Sequence, residues 1–384
     1  MNDLPTELID AILEHMYYEK GLPDNDTLRA SALVSASWRV PAQRLLFRRV
    51  TLRGMHHGRE HLSFLKATDS QTGYGRTLGS HVRVLELFIG DKAGLDLDDA
   101  DLADILSHTA RLYELVLRVT GIHELAMGTM EKLYALAGSD RGGNPSLPRA
   151  PLRIRALSLL SCGIQSPILY QLLSVWSSTE FLLIGVEIAA PPPRSLPLPS
   201  FKLYQLTLMR TPRLYILSWL LSASMDSLRV VSFRDAPGRE LDPILDAVGP
   251  RLRSLRLMNN SLRTPKLLER CPNLEEFVLV QLSTVFGLEG LPSTLEHLSC
   301  RNLPEEPQSL DSVIKAVGVL PRLRVVTCDK RARLDERFGE LERLCVGKGV
   351  ELFVDEAPFW VRDDPVHVNH FPNRKSVANF ALMN

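Results

Sequence analysis

Leu252-Arg253-Ser254-Leu255-Arg256-Leu257 sets apolar residues at the first, fourth and sixth places of a hexamer, and Asn260 and Leu262 continue it. In an extended chain successive side chains point to opposite faces, so the fourth and sixth residues share one face and those between them line the other. The hexamer recurs along most of the chain. It stands at Val82, Leu85 and Leu87, at Leu112, Leu115 and Leu117, at Ile154, Leu157 and Leu159, and at Leu203, Leu206 and Leu208. It returns at Leu228, Val231 and Phe233, at Leu274, Phe277 and Leu279, at Leu295, Leu298 and Cys300, and at Leu323, Val326 and Cys328. A weaker copy lies at Thr179, Leu182 and Ile184. From Ile154 onward the starts are 25, 24, 25, 24, 22, 21 and 28 residues apart.

The intervals carry helix starts. Ser166-Pro167, Thr211-Pro212, Asp242-Pro243 and Thr264-Pro265 each join a capping residue to a proline suited to a first helical turn. Apolar residues at helical spacing follow, as at Ile168, Leu169, Leu172, Leu173 and Trp176. A strand and a returning helix every 20–29 residues, with this hexamer, resembles the leucine-rich repeat. The resemblance implies an α/β solenoid over residues 53–354, with about ten units and a parallel concave sheet. An irregular α/β domain with leucine-rich strands is the competing architecture. Two Gly- and Pro-rich stretches, near 138–150 and 190–200, are read as loop insertions because the hexamer resumes beyond each. Residues 355–384 lack the repeat and form either a cap, with Phe359 and Trp360 over the last unit, or a loose tail.

The first fifty residues have a different grain. Leu4, Leu8, Ile12 and Met16, with Ile9 and Leu13, make an apolar stripe at helical spacing. Pro5 and Glu7 suit the first turn of that helix. A second helix is expected from about Thr27 to Val34 and a third from near Trp38. Three short helices cannot bury all this apolar surface among themselves, so part of it should face another protein. Leu4-Pro5-Thr6-Glu7-Leu8, then Ile12, then Val34 followed by Trp38, resembles the F-box. The segment from Tyr17 to Asp26 is longer and more polar than a minimal F-box loop and should bulge outward. The resemblance covers residues 1–52 and implies a three-helix module that docks the SKP-family adaptor of cullin-RING ubiquitin ligases. Leu4, Pro5, Glu7, Leu8, Ile12, Leu33, Val34 and Trp38 would make the contact.

The rest of the composition excludes more than it suggests. Across 384 residues, 45 Lys and Arg balance 45 Asp and Glu, so no global field draws the chain to nucleic acid or an anionic membrane. The five cysteines (162, 271, 300, 328 and 345) form no CxxC pair, which argues against a disulfide framework and a structural zinc site. No apolar run approaches the length of a membrane span, and early acidic residues argue against a signal peptide. The expected setting is cytoplasmic or nuclear. No phosphate-binding loop, nucleophile elbow or HExxH helix is present, so neither an enzyme nor a cofactor is expected. His56, His57 and His61 lack a recurrent metal-ligand spacing and are read as surface histidines. Asp96, Asp98, Asp99, Asp101 and Asp104 lack the glycine and glutamate of a calcium loop and read as acids at a helix start.

Alternation places Glu114, Arg118, Gln205, Thr207, Met209, Arg234, Arg256, Met258, Glu276, His297, Arg301 and Asp329 on the sheet face opposite the core. Arg118, Met209, Arg234, Arg256, Met258, His297 and Arg301 are the candidate substrate contacts. The later arginines would suit a carboxylate- or phosphate-bearing protein, although an Arg-rich chain places arginines on any solvated sheet. The expected function is that of a ligase substrate receptor with no catalytic residue of its own. The alternative is a non-ligase interaction scaffold whose F-box-like module is only a helical cap.

Overall fold

The computed structural model describes residues 4–19, 22–53, 60–91, 96–138, 150–234, 237–282, 287–288, 290–300 and 309–355. They fall into two compact units that divide between Pro197 and Leu198, inside the proline-rich stretch.

The first unit begins with the helices α1 (Thr6–His15), α2 (Asn25–Ala32) and α3 (Ala36–Arg48). The polar segment after α1 forms a short antiparallel pair, β1 (Tyr18–Glu19) with β2 (Leu22–Pro23), and α2 starts two residues earlier than its pattern suggests. The reason is Asp24, whose carboxylate accepts the Thr27 N–H at 3.0 Å and caps the helix there. The three helices close over Ile9, Leu13, Tyr17, Leu28, Ala42 and Leu45, with Ala32, Trp38 and Leu46 packed beside them. Salt bridges add to this: Arg44 reaches Asp10 at 3.3 Å, and Arg48 donates to Glu14 at 2.7 Å.

The chain passes from α3 straight into β3 (Arg49–Leu52). There follow α4 (Glu60–Ala67), α5 (Gly73–His81), β4 (Val84–Gly90), α6 (Asp99–Ser107), β5 (Glu114–Thr120), α7 (Met127–Leu136), β6 (Ala156–Ser161), α8 (Ile168–Val175) and β7 (Phe181–Ile184). From β3 to β7 each strand pairs in parallel with the next. The second unit contains β8 (Gln205–Leu208), α9 (Leu214–Leu221), β9 (Val230–Phe233), α10 (Asp242–Val248), β10 (Ser254–Asn259), α11 (Thr264–Glu269) and β11 (Glu276–Gln281). It ends with β12 (His297–Cys300), α12 (Asp311–Val319), β13 (Val325–Asp329), α13 (Phe338–Lys348) and β14 (Glu351–Asp355). Its strands are likewise parallel and in chain order. Each unit is therefore α/β and leucine-rich-repeat-like.

Every quoted hexamer becomes a strand that begins two residues after its first apolar position. The cause repeats as well. Leu252, Leu274 and Leu295 enter the core before the ladder starts. The next two N–H groups, as at Arg253 and Ser254, both donate to one carbonyl of the preceding strand, here that of Arg229 at 2.8 and 3.0 Å. Glu275 and Glu276 do the same to Arg253, and Glu296 and His297 to Glu275. The fourth and sixth positions then interdigitate as core: Leu255, Leu257, Phe277, Leu279, Leu298, Cys300, Val326 and Cys328 are all buried.

Besides the β1–β2 pair, two strands of the repeats lie outside the quoted hexamers. β3 follows the pattern through Phe47, Val50 and Leu52, which sit inside the segment assigned to the helical module. β14 has Leu352 and Val354 but Gly349 where the first apolar residue belongs. Gly349 is needed for another reason: it ends α13 in the left-handed region at φ 68°. Leu262 also departs from expectation. It is 75% exposed, because the chain turns at Ser261 and the buried positions of this repeat pass to Thr264, Leu267 and Leu268.

Candidate binding surfaces

On α1 the apolar stripe splits in two. Ile9 and Leu13 point into the module core, while Asp10 and Glu14 are held by Arg44 and Arg48 of α3. Leu4, Leu8, Ile12 and Met16, spaced one helical turn apart, stay exposed, Leu8 to 52%. Leu33 and Val34, after α2, are exposed to 84% and 66%, and Val40 on α3 is exposed too. Pro5 and Glu7 lie exposed at the start of α1. Trp38 differs from these: it is half-buried and packs against the module core. Its ring therefore supports the helices as well as reaching the surface.

The sheet face of the second unit holds a buried polar network. Parallel register puts Ser254, Glu276 and His297 in one row, and Arg256, Val278, Ser299 and Thr327 in the next. Neighbouring strands are about 4.8 Å apart, so long side chains reach diagonally from one row to the next. The Glu276 carboxylate, with no exposure, accepts from Arg256 Nε at 3.2 Å, Arg256 Nη2 at 2.9 Å and Ser254 Oγ at 2.5 Å. His297, equally buried, places Nδ1 3.1 Å from Glu276 Oε2 and Nε2 3.0 Å from Thr327 Oγ1. Burial by itself would raise the Glu276 pKa, but the Arg256 charge and the His297 and Ser254 hydrogen bonds hold it well below the usual carboxylate range.

Arg256 and His297 thus occupy the expected face but do not present charge to solvent. Glu114 and Gln205 are buried on their rows as well. Alternation gives a face and says nothing of how neighbours on it pair, which is why exposure was overestimated. The other candidates sit at the seventh place of the repeat, just past the hexamer. In the second unit Met209, Arg234 and Met258 follow β8, β9 and the middle of β10 in one row, tied by Arg234 N–H to Leu208 O and Met258 N–H to Arg234 O. Arg234 is exposed between two half-buried methionines. Arg301, and with it His56, His57, Phe359 and Trp360, lies outside the described residues.

In the first unit the first three seventh places are Arg53, Phe88 and Arg118, and Leu160 and Gly185 follow them. The Arg53 guanidinium carbon is 4.2 Å from the centre of the Phe88 ring, and that of Arg118 is 5.3 Å from it. Glu86 accepts from Arg118 Nε at 2.9 Å and lies 3.7 Å from Arg49 Nη2. Val84, Val116, Leu160 and Leu183 form a buried apolar cluster on the same face. Sequence reading identified Arg118 here and missed Arg53 and Phe88; aligning the seventh places of all hexamers would have found them.

The aspartates before α6 behave as helix-start acids: Asp101 accepts the Asp98 N–H at 3.3 Å, and Asp99 accepts from Ala126 N–H and Thr129 Oγ1 of the next repeat. Among the described residues no cluster of three or more His, Cys, Asp or Glu side chains is placed to hold a metal, and no helix is long and apolar enough to cross a membrane. None of the five cysteines is paired in a disulfide, and burial pushes the Cys271 thiol up to about 12. A cleft of about 670 Å³ opens between α13 and β14, lined by residues such as Cys345, Val346, Leu352 and Val354, at the edge of the last described repeat.

The fold defines a protein of stacked strand–helix repeats. No protein-family pattern matches the chain, and no curated protein matches it. Among solved structures it is similar to the leucine-rich repeat-containing protein LegL7 from Legionella pneumophila, at 14% identity and a TM-score of 0.45. That likeness covers 87% of this chain and 97% of the other.

Proposed function

We propose that this chain is a substrate receptor of a cullin-RING ubiquitin ligase. Its helical module docks an adaptor of the SKP family, and its repeat sheet holds the protein to be modified. The observation that carries the reading is the outward row Leu4, Leu8, Ile12 and Met16, continued by Leu33 and Val34, on a module whose core is already filled. Each such side chain left in water forgoes about 1.5–3 kcal/mol of burial. Concentrated on one small module, that surface favours a permanent apolar partner. The resemblance to the F-box names the adaptor. In this reading the chain supplies proximity and no catalytic group, with ubiquitin transfer performed elsewhere in the assembly. Five cysteines without a disulfide among them suit a cytoplasmic or nuclear setting.

Co-purification of the full chain with a SKP-family adaptor tests this, comparing wild type with a Leu8→Asp, Leu33→Asp double variant. A stoichiometric complex lost in the variant is expected. Trp38 is left intact because its truncation would report on the module's core. If folded wild-type chain retains no adaptor, the ligase reading falls and a protein-interaction scaffold with an F-box-like cap replaces it.

A further inference from the structure

We infer that the row Arg53, Phe88 and Arg118 on the sheet face of the first unit is a binding site for an acidic peptide segment of a partner protein, taking a carboxylate or phosphate group. The geometry begins with the strands. β3 and β4 pair as far as Leu52 and Leu87, and β4 and β5 pair Phe88 with Arg118, so the three side chains rise from neighbouring strands in one row. The phenyl ring stands between two guanidinium groups, 4.2 and 5.3 Å from its centre. A ring so placed restrains both long side chains, which lowers the entropy lost when their N–H edges close on an oxyanion.

Charge supplies the second argument. Glu86 is shared by Arg49 and Arg118 through the contacts at 3.7 and 2.9 Å. Its single negative charge faces two guanidiniums, and its bond to Arg118 uses Nε, leaving that residue's terminal N–H groups for another acceptor. Arg53 is exposed, and its contact among the described residues is the Phe88 ring. The row therefore carries an excess of positive charge over an apolar floor. This differs from the second unit, where Glu276 neutralises Arg256 within the protein. Carboxylate and phosphate both accept two parallel N–H bonds from arginine, so either group on an extended peptide fits.

The proposal rests on reading the sheet as the capture face; adaptor co-purification depends on the helical module, so either result can fail while the other stands. The experiment is fluorescence anisotropy of the full chain with three labelled peptides of one Gly/Ser framework. These carry three central glutamates, three phosphoserines or three glutamines. Binding of the glutamate or phosphoserine peptide, weakening with salt, and none of the glutamine peptide is the expected result. The tighter of the two acidic probes tells which oxyanion the site prefers. Arg53→Gln should weaken binding about tenfold, the equivalent of one charge-assisted hydrogen bond, with an unchanged melting temperature because the side chain is exposed. Arg53→Lys should recover part of the loss. Glu86→Gln should tighten binding, since it removes the competing carboxylate, whereas a purely structural role would move it the other way. Equal binding of the glutamine peptide, or unchanged affinity in Arg53→Gln, would overturn the proposal. So would self-association abolished by Arg53→Gln without any response to the acidic probes, which would assign the row to a second copy of the chain.

Discussion

Glu276 concentrates the residue-scale energetics of the second unit. A carboxylate without exposure is tolerated where Arg256, Ser254 and His297 sit against it, and its loss would take a buried partner from each of them. Glu276→Gln should cost about 3–5 kcal/mol in urea unfolding, as expected for breaking one side of a buried pair. Replacing both partners, Arg256→Met with Glu276→Leu, should recover most of that loss; a double variant no better than the single one would show that the pair is worth more than its desolvation. The pH dependence follows from the lowered folded pKa of Glu276. Its stabilisation is fully present above the ordinary carboxylate range and disappears as pH falls through the lowered value. Glu276→Gln should thus lower stability at neutral pH, with the gap to wild type closing as pH falls through the lowered Glu276 pKa into strong acid. That these residues share a face was readable from the hexamer, since Ser254, Glu276 and His297 all hold its third place. Their pairing was not, because it depends on which long side chain reaches diagonally and on how far the face is covered.

Among the elements, α1 and α13 make opposite demands on their residues. Ile9 and Leu13 of α1 fill a core, so Leu13→Ala should lower unfolding stability by about 2–5 kcal/mol. Leu8→Asp, on the outward face, should change it by about 0.5 kcal/mol or less. Thermal melts of the two variants check this, and equal losses would mean that the outward row is core. At the end of α13, Gly349 adopts φ 68° with open space where a Cβ would stand. Gly349→Ala should therefore cost only the left-handed backbone penalty, about 1 kcal/mol, again read from unfolding. The element list was largely legible because the hexamer has a period of two and the intervals have proline-marked helix starts. What escaped were strands whose pattern was hidden by a neighbouring demand. Phe47 serves the third helix as well as β3, and Gly349 gives up the first apolar place of β14 to close a helix. Trp38 likewise answers two demands, packing beside the module core while staying half-exposed.

Within each unit the repeats touch mainly their sequence neighbours, since each interior strand pairs with the one before and the one after it. Such a stack behaves as a sum of repeat stabilities and nearest-neighbour terms, so damage should spread outward from its origin with declining effect. Phe277 offers the cleanest origin: it is fully buried in β11 and flanked in register by Leu255 of β10 and Leu298 of β12. Phe277→Ala should remove about 3–5 kcal/mol from the local core. Hydrogen exchange resolved by peptide should then rise most in β10, β11 and β12, less in β9 and β13, and least in β8 and β14. A uniform rise over the whole second unit would instead mean that it opens in one cooperative step, with the interfaces between repeats stronger than the repeats themselves. The distinction matters for binding. In a stack that opens locally, a ligand held by one row of residues would slow exchange only in the strands that carry it, so an acidic peptide on Arg53, Phe88 and Arg118 should protect β3, β4 and β5 and leave β6 and β7 little changed.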